Sequence, residues 1–171
     1  MPLQVNYRPT RRLAYSALLL ALSLLLSYVE SLVPLSFALP GMKPGLANVA
    51  IMFAFLHIGR ASGVAISFCR VLLVALLFGT AASFFFSLLG AALAALALFL
   101  LARSARFGRI GLSVGCACAH NLGQLLAAAM LYGPAVFSYL PYLLLSAVPF
   151  GALCGVLLYS CEKLLPRLRF V

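Results

Sequence analysis

The sequence predicts an all-α integral membrane protein with six transmembrane helices. Of its 171 residues, 65% are hydrophobic and 8% are charged, and the mean hydropathy is +1.17. These values lie outside the range of soluble domains. The apolar runs lack the alternation that spanning strands show, whereas helices satisfy their own backbone hydrogen bonds in lipid. We therefore predict one six-helix membrane domain covering residues 1–171.

Six apolar stretches can be drawn between short polar, glycine-containing or proline-containing segments. A bilayer crossing takes about 20 residues. The second stretch is too short to cross alone unless it is tilted, continued into Gly59 or begun in the preceding loop. The predicted spans run at about residues 12–33, 46–58, 62–78, 82–101, 110–132 and 138–165.

The positions of the basic residues predict the orientation of this bundle. Lys and Arg flanking membrane spans are retained on the cytoplasmic side. Apart from Lys43 and Arg70, the 12 basic residues form four clusters, which are Arg8/Arg11/Arg12, Arg60, Arg103/Arg106/Arg109 and Lys163/Arg167/Arg169. Six spans with both termini inside place every cluster in the cytoplasm. The predicted location is the bacterial cytoplasmic membrane, crossed several times.

The net charge of +10 would suggest nucleic-acid binding in a soluble protein, but the apolar content argues against that class of partner. We interpret the basic residues as topology signals that contact anionic lipid head groups. The five cysteines lie in apolar stretches, and we interpret them as small buried side chains rather than as a disulfide or metal site.

Polar residues at membrane depth indicate a ligand pocket. An ionisable group within the bilayer is costly and usually faces a cavity or a partner. Arg70 lies midway along the third predicted span, and His120 lies near the middle of the fifth. The candidate substrate-binding residues, all at the midplane or outside it, are Glu30, Lys43, Asn48, Arg70, His120, Asn121 and Gln124.

These residue types suit a small anionic or amphipathic molecule. Arg70 and Lys43 can hold an anionic group, while His120, Asn121 and Gln124 can supply directed hydrogen bonds. The alternative is a purely structural role, in which Arg70 pairs with Glu30 or caps backbone carbonyls and staples the bundle. The proline-rich and glycine-rich loop at 34–45 is either a lid over this pocket or a stiff connector.

Small residues recur every four positions on three of the predicted spans, a spacing that lets membrane helices pack closely. On the fifth and sixth spans we expect internal packing, at Gly111, Gly115, Ala119, Gly123, Ala127, Gly151 and Gly155. On the first span, the small residues Ala14, Ala17 and Ala21 are a candidate docking face for a partner protein.

Catalytic motifs are missing from the sequence. It contains no phosphate-binding glycine loop, no Asp for a Mg²⁺ and diphosphate site, and no Ser/His/Asp arrangement. His57 and His120 are predicted at different depths, which makes them a poor metal pair. We expect a binding or transport protein without a metal or cofactor, rather than an enzyme.

Several motifs together resemble a known family. They are YVESLVP at 28–34, PGMKPGLAN at 40–48, Arg70, HNLGQ at 120–124 and YLP at 139–141. In order, and over about residues 11–165, they resemble the small bacterial membrane family called Gx transporter, which also carries the name heptaprenyl diphosphate synthase component I. Pro44 departs from the less rigid residue expected at that position.

The resemblance implies two alternative functions. The family is similar to the six-helix S components of energy-coupling-factor (ECF) transporters, which bind a small ligand from outside. An Ala-x-x-x-Ala face on their first helix docks a coupling subunit, which implies that role for Ala17 and Ala21, with ATP hydrolysis supplied by partner ATPases. The synthase name implies instead a non-catalytic membrane accessory subunit in isoprenoid or quinone metabolism, or in electron transfer.

Overall fold

The computed structural model of the protein describes residues 9–32, 45–104 and 106–164. Lys43 and residues 34–44 of the loop that was expected to be a lid or a stiff connector lie outside these ranges. Within the described residues the chain is helical, which confirms the predicted class. The elements are α1 (Pro9–Leu32), α2 (Ala47–Phe53) with a π-helical turn (Ala54–Ile58), α3 (Arg60–Phe78), α4 (Ala81–Leu101), α5 (Arg109–Tyr132), a 3-10 segment (Pro134–Tyr139) and α6 (Leu140–Leu164).

Five of the helices are long and apolar enough to cross a membrane, namely α1, α3, α4, α5 and α6 with its 3-10 segment. The remaining predicted span is α2 with its π turn, over Ala47–Ile58. At a rise of about 1.5 Å per residue it extends roughly 18 Å, which is well short of the apolar core of a bilayer. The expectation of a short second element therefore holds, and five helices have spanning length.

The helix bounds differ from the predicted spans by at most three residues, and the starts of α1 and α6 differ for local reasons. α1 begins at Pro9, before the apolar edge, because proline is favoured in the first turn and the basic residues behind it continue the helix. α5 ends at Gly133, whose φ of 88° leaves the helical region. A 3-10 segment follows, so α6 begins at Leu140.

The short helix α2 forms the centre of the bundle. Ala47 and Ala54 are 0% exposed, and most of the other side chains of α2 and its π turn are also buried. It packs against α1, α3 and α6. A helix that is apolar all round belongs in a core, and its ends are bound by protein groups instead of reaching the lipid head groups.

Helices α4, α5 and α6 pack as a close unit because glycines remove side chains from their contacts. A Cβ on Gly123 would strike the backbone carbonyl of Leu89 on α4. On α6, a Cβ on Gly151 or Gly155 would lie 2.8 Å from Cα of Val114 or 2.6 Å from Cα of Ile110 on α5. The internal packing predicted for the fifth and sixth spans is thus confirmed at these positions.

Basic residues gather at one end of the bundle, which we call the basic end. Glu162 on α6 accepts a hydrogen bond from Arg109 Nε at 2.7 Å, and its other oxygen lies 2.8 Å from His57 Nε2. Arg12 Nε donates to Ser62 Oγ at 2.9 Å. The Glu162 side chain is 16% exposed, and it bridges three elements, namely α5, α6 and the π turn.

Candidate ligand-binding site

A cavity of about 280 Å³ lies towards the other end of the bundle. Its walls come from α1, α2 and α3 on one side and from α4, α5 and α6 on the other. Six of the seven predicted binding residues line it, namely Glu30, Asn48, Arg70, His120, Asn121 and Gln124. The seventh, Lys43, is outside the described residues. These six residues come from four helices and are separated by up to 94 positions, and they meet around one space.

Among the described residues, Arg70 is the basic side chain that lines this cavity. Its side chain lies midway along α3, and the residue is 9% exposed. Nη1 donates to Ser27 Oγ on α1 at a long 3.4 Å, while Nε is buried without a hydrogen-bond partner among the described residues. Buried polar groups are normally satisfied, so the guanidinium in the cavity wall has one donor, Nε, that still lacks an acceptor.

Glu30 attracts Arg70 electrostatically, and its carboxylate also contacts the start of α2. Within the described ranges, the ion pairs closer than 4.0 Å are those of Glu162. Glu30 is 8% exposed, and its Oε1 accepts a hydrogen bond from the backbone N–H of Leu46, at the start of α2. A carboxylate is favoured at a helix N-terminus. This contact ties α1 to α2.

Helix α5 contributes three neutral polar side chains to the opposite wall. Asn121 Nδ2 donates to the carbonyl of Leu143 on α6 at 2.8 Å, which holds the amide in place. His120 and Gln124 lie one turn apart and face Gly90 on α4. A Cβ on Gly90 would lie 2.9 Å from His120 Cε1 and 3.1 Å from Gln124 Cγ, so this glycine makes room for both side chains.

Asn48 lies in the first turn of α2, next to a glycine turn that positions it. Gly45 has a φ of 76°, which L side chains rarely adopt. A Cβ there would also approach Asn48 Nδ2 to 3.2 Å. Asn48 and His120 additionally line a smaller cavity of about 30 Å³ deeper in the bundle, a volume that suits an ordered water.

The sequence analysis missed the hydroxyl groups and aromatic rings of the cavity. The hydroxyls belong to Ser27, Ser31, Thr80, Ser83, Ser87, Ser113 and Ser146, and the rings to Phe78, Phe84 and Phe150. The four-residue spacing of Ser27 and Ser31, and of Ser83 and Ser87, could have indicated that each pair shares one helix face. Thr80 and Ser83 also cap α4 reciprocally, with bonds of 3.2 and 2.8 Å.

The cysteines differ in their surroundings. All five are free thiols. Cys116 and Cys154 are buried and line the cavity, as the interpretation of small buried side chains expects. Cys69 is exposed on the outside of α3, so that interpretation was wrong for this residue.

The predicted docking residues Ala14, Ala17 and Ala21 are exposed on α1. They lie on the outside of the bundle, away from the cavity lining. Large apolar side chains flank them on the same helix, including Leu18 and Leu25 at 66% and 61% exposure. The face is therefore free to meet lipid or another protein.

Five apolar helices of spanning length around a polar cavity define a multi-pass membrane protein with a candidate ligand site. The family model described as heptaprenyl diphosphate synthase component I matches residues 19–160. The chain belongs to this family, which is the second of the two family names that its motifs suggested. No curated protein and no solved structure matches the chain.

Proposed function

We propose that the protein is the substrate-binding membrane subunit of an ECF-like transporter for a small anionic or amphipathic metabolite. The observation that carries this proposal is the buried Arg70 guanidinium, which has an unsatisfied Nε and lies in the wall of a cavity that also presents neutral polar side chains. Ligand sites are typically concave, with a few convergent polar groups among apolar ones. Binding energy for an anion would come from Arg70, and orientation from His120, Asn121 and Gln124.

The proposed orientation places both termini in the cytoplasm and the cavity towards the outside. It follows from the basic end, because Lys and Arg near span ends are retained inside. Arg12, Arg60, Arg103 and Arg109 lie at the ends of helices there. The protein would then capture its ligand from outside the bacterial cytoplasmic membrane, as one domain whose short α2 completes a six-helix bundle.

Transport against a gradient needs an energy source that this chain lacks. Its sequence contains no phosphate-binding loop for ATP. In the proposed assembly, a transmembrane coupling subunit docks on α1 through Ala14, Ala17 and Ala21, and partner ATPases drive the cycle. Small exposed residues support this docking because they allow a partner helix to approach closely.

The second candidate function is that of a non-catalytic accessory subunit in isoprenoid or quinone metabolism, or in electron transfer. The description of the family favours it, because it names a component of a heptaprenyl diphosphate synthase. A component of a complex need not carry the catalytic groups. In this case a soluble prenyltransferase or a redox protein, rather than an ATPase, would be its partner.

Partner capture separates the two candidates. Tagged protein is extracted from its own membrane in mild detergent, and the co-purifying proteins are identified by mass spectrometry. We expect a coupling subunit and ATPases with the wild type, and their loss in Ala17→Leu/Ala21→Leu. The matched control, Ala92→Leu, changes an exposed alanine on α4 and should keep them. Recovery of a prenyltransferase or redox partner without ATPases would favour the accessory role, and unchanged partners in the double variant would reject the docking face.

A further inference from the structure

We propose that the cavity binds a compact monocarboxylate with a planar, hydrogen-bonding body, and not a prenyl diphosphate. This inference rests on the proposed function, because it names the chemical class of ligand that the same cavity takes. The proposed ligand differs in chemical class from the isoprenoid product that the family description suggests.

The charged groups of the described cavity lining are one cation, Arg70, and one carboxylate, Glu30, so a ligand with little negative charge fits best. Arg70 supplies a guanidinium whose fork of donors matches the two oxygens of a carboxylate. Glu30 is the acidic residue of the lining, and its carboxylate is bound to the backbone of Leu46. A single carboxylate would thus complete the hydrogen bonding of Arg70 and would add less negative charge beside Glu30 than a diphosphate would.

A diphosphate would meet a poorly matched site. It carries two or more negative charges at neutral pH, and proteins usually bind it through Mg²⁺ held by carboxylates or through several cations. The chain has no Asp and two Glu, of which Glu162 is bound to Arg109 and His57 at the basic end. Excess charge buried without a partner is strongly unfavourable.

The volume of the cavity points in the same direction. At about 280 Å³ it lies at the lower limit of the roughly 300–1,000 Å³ found for pockets that take drug-sized ligands. A chain of seven isoprene units is larger than such ligands and has no hydrogen-bonding groups. It would therefore exceed the space and leave the polar lining without partners.

The remaining lining favours a flat polar body over an aliphatic one. His120, Asn121 and Gln124 offer donors and acceptors from one helix, whereas Phe84 and Phe150 offer ring faces and edges. Aromatic side chains pack well against planar groups. The ligand would be a ring that bears one carboxylate and has ring heteroatoms or small polar substituents. Its carboxylate would bind Arg70, and its ring would contact the polar side chains of α5.

Identification of the small molecule that co-purifies with the protein tests this inference. Wild type, Arg70→Gln and the control Arg60→Gln are isolated from the native membrane in mild detergent. The protein is then denatured, and the released compounds are measured by liquid chromatography with negative-ion mass spectrometry. We expect one compound that loses carbon dioxide on fragmentation and gives no phosphate fragments. Its amount should fall about tenfold or more in Arg70→Gln and stay unchanged in Arg60→Gln, whose side chain stacks on Phe99 at the basic end.

The outcomes distinguish failure of this inference from failure of the proposed function. A diphosphate, a neutral compound, or equal amounts in wild type and Arg70→Gln would overturn the monocarboxylate assignment and leave a binding protein. Absence of any enriched compound from the wild type would overturn the binding function itself. If Arg70→Gln fails to fold, the identity of the wild-type ligand decides the class, and Arg70→Lys, which keeps the charge without the fork, tests the geometry.

Discussion

The carboxylate of Glu30 on α1 accepts a hydrogen bond from the backbone N–H of Leu46 at the start of α2. At the opposite end of the same element, Glu162 lies 2.8 Å from His57 in the π turn. The two acidic residues of the chain therefore bind the two ends of the element formed by α2 and its π turn. This arrangement explains how a helix too short to span a bilayer can form the centre of the bundle.

Removal of the Glu30 side chain should destabilise the protein more than neutralising it. Glu30→Ala leaves the N–H of Leu46 unsatisfied, which should lower the free energy of unfolding by about 1–3 kcal/mol. Glu30→Gln keeps an acceptor oxygen and should cost less. Melting temperatures in detergent measure the difference, and equal losses for the two variants would show that the hydrogen bond contributes nothing.

The contacts of Glu162 should stabilise the basic end. Glu162→Ala removes a shared acceptor from Arg109 and His57, and because all three side chains are partly exposed we expect a loss of about 1–2 kcal/mol. Lys163→Ala, at the exposed neighbouring position, is the control and should change stability by less than about 0.5 kcal/mol. If both variants have the same melting temperature as the wild type, the contacts of Glu162 have no stabilising role.

Gly123 and Gly111 on α5 should respond in opposite ways to the same substitution. In Gly123→Ala the new Cβ would strike the backbone of Leu89, and overpacking of this kind costs about 1–3 kcal/mol. In Gly111→Ala the nearest atom is Phe107 Cδ1 at 3.4 Å, so the higher helix propensity of alanine should leave stability unchanged or raised. Chemical denaturation in detergent compares them, and tolerance of Gly123→Ala would contradict the close packing of α4 on α5.

Cysteine labelling tests the proposed orientation of the bundle. On a background without native cysteines, Phe107→Cys and Ala135→Cys place exposed thiols at opposite ends. A maleimide that does not cross membranes should label Ala135→Cys on intact cells, and Phe107→Cys after permeabilisation. The reverse pattern would place the cavity on the cytoplasmic side and exclude uptake from outside.

The sequence predicted the helices well because membrane spans carry strong local signals. The apolar runs located α3, α4 and α5 within two residues at each end. The central position of α2 could not be predicted in the same way, since a buried helix and a lipid-facing one are both apolar throughout. The contact between His57 and Glu162 joins positions 105 residues apart, and no local pattern reports such a pairing.

The charged, imidazole and amide side chains of the cavity were predictable because such groups are rare within apolar spans, as Arg70 and His120 show. The serines were not singled out, since a hydroxyl is readily accommodated in a membrane helix and marks no particular face. The role of Gly90 depends on the side chains of His120 and Gln124 across the helix contact. This role therefore follows from the packing of α4 against α5 and not from either helix alone.

Native mass spectrometry of the intact protein tests the central claim, that the cavity binds a ligand through Arg70, most directly. Protein ejected from detergent micelles should carry one small-molecule adduct in the wild type and in the control Arg60→Ala. Arg70→Ala, folded and of normal size on gel filtration, should appear without the adduct because the anchoring guanidinium is gone. The same adduct on Arg70→Ala, or a wild type that carries none, would contradict the account.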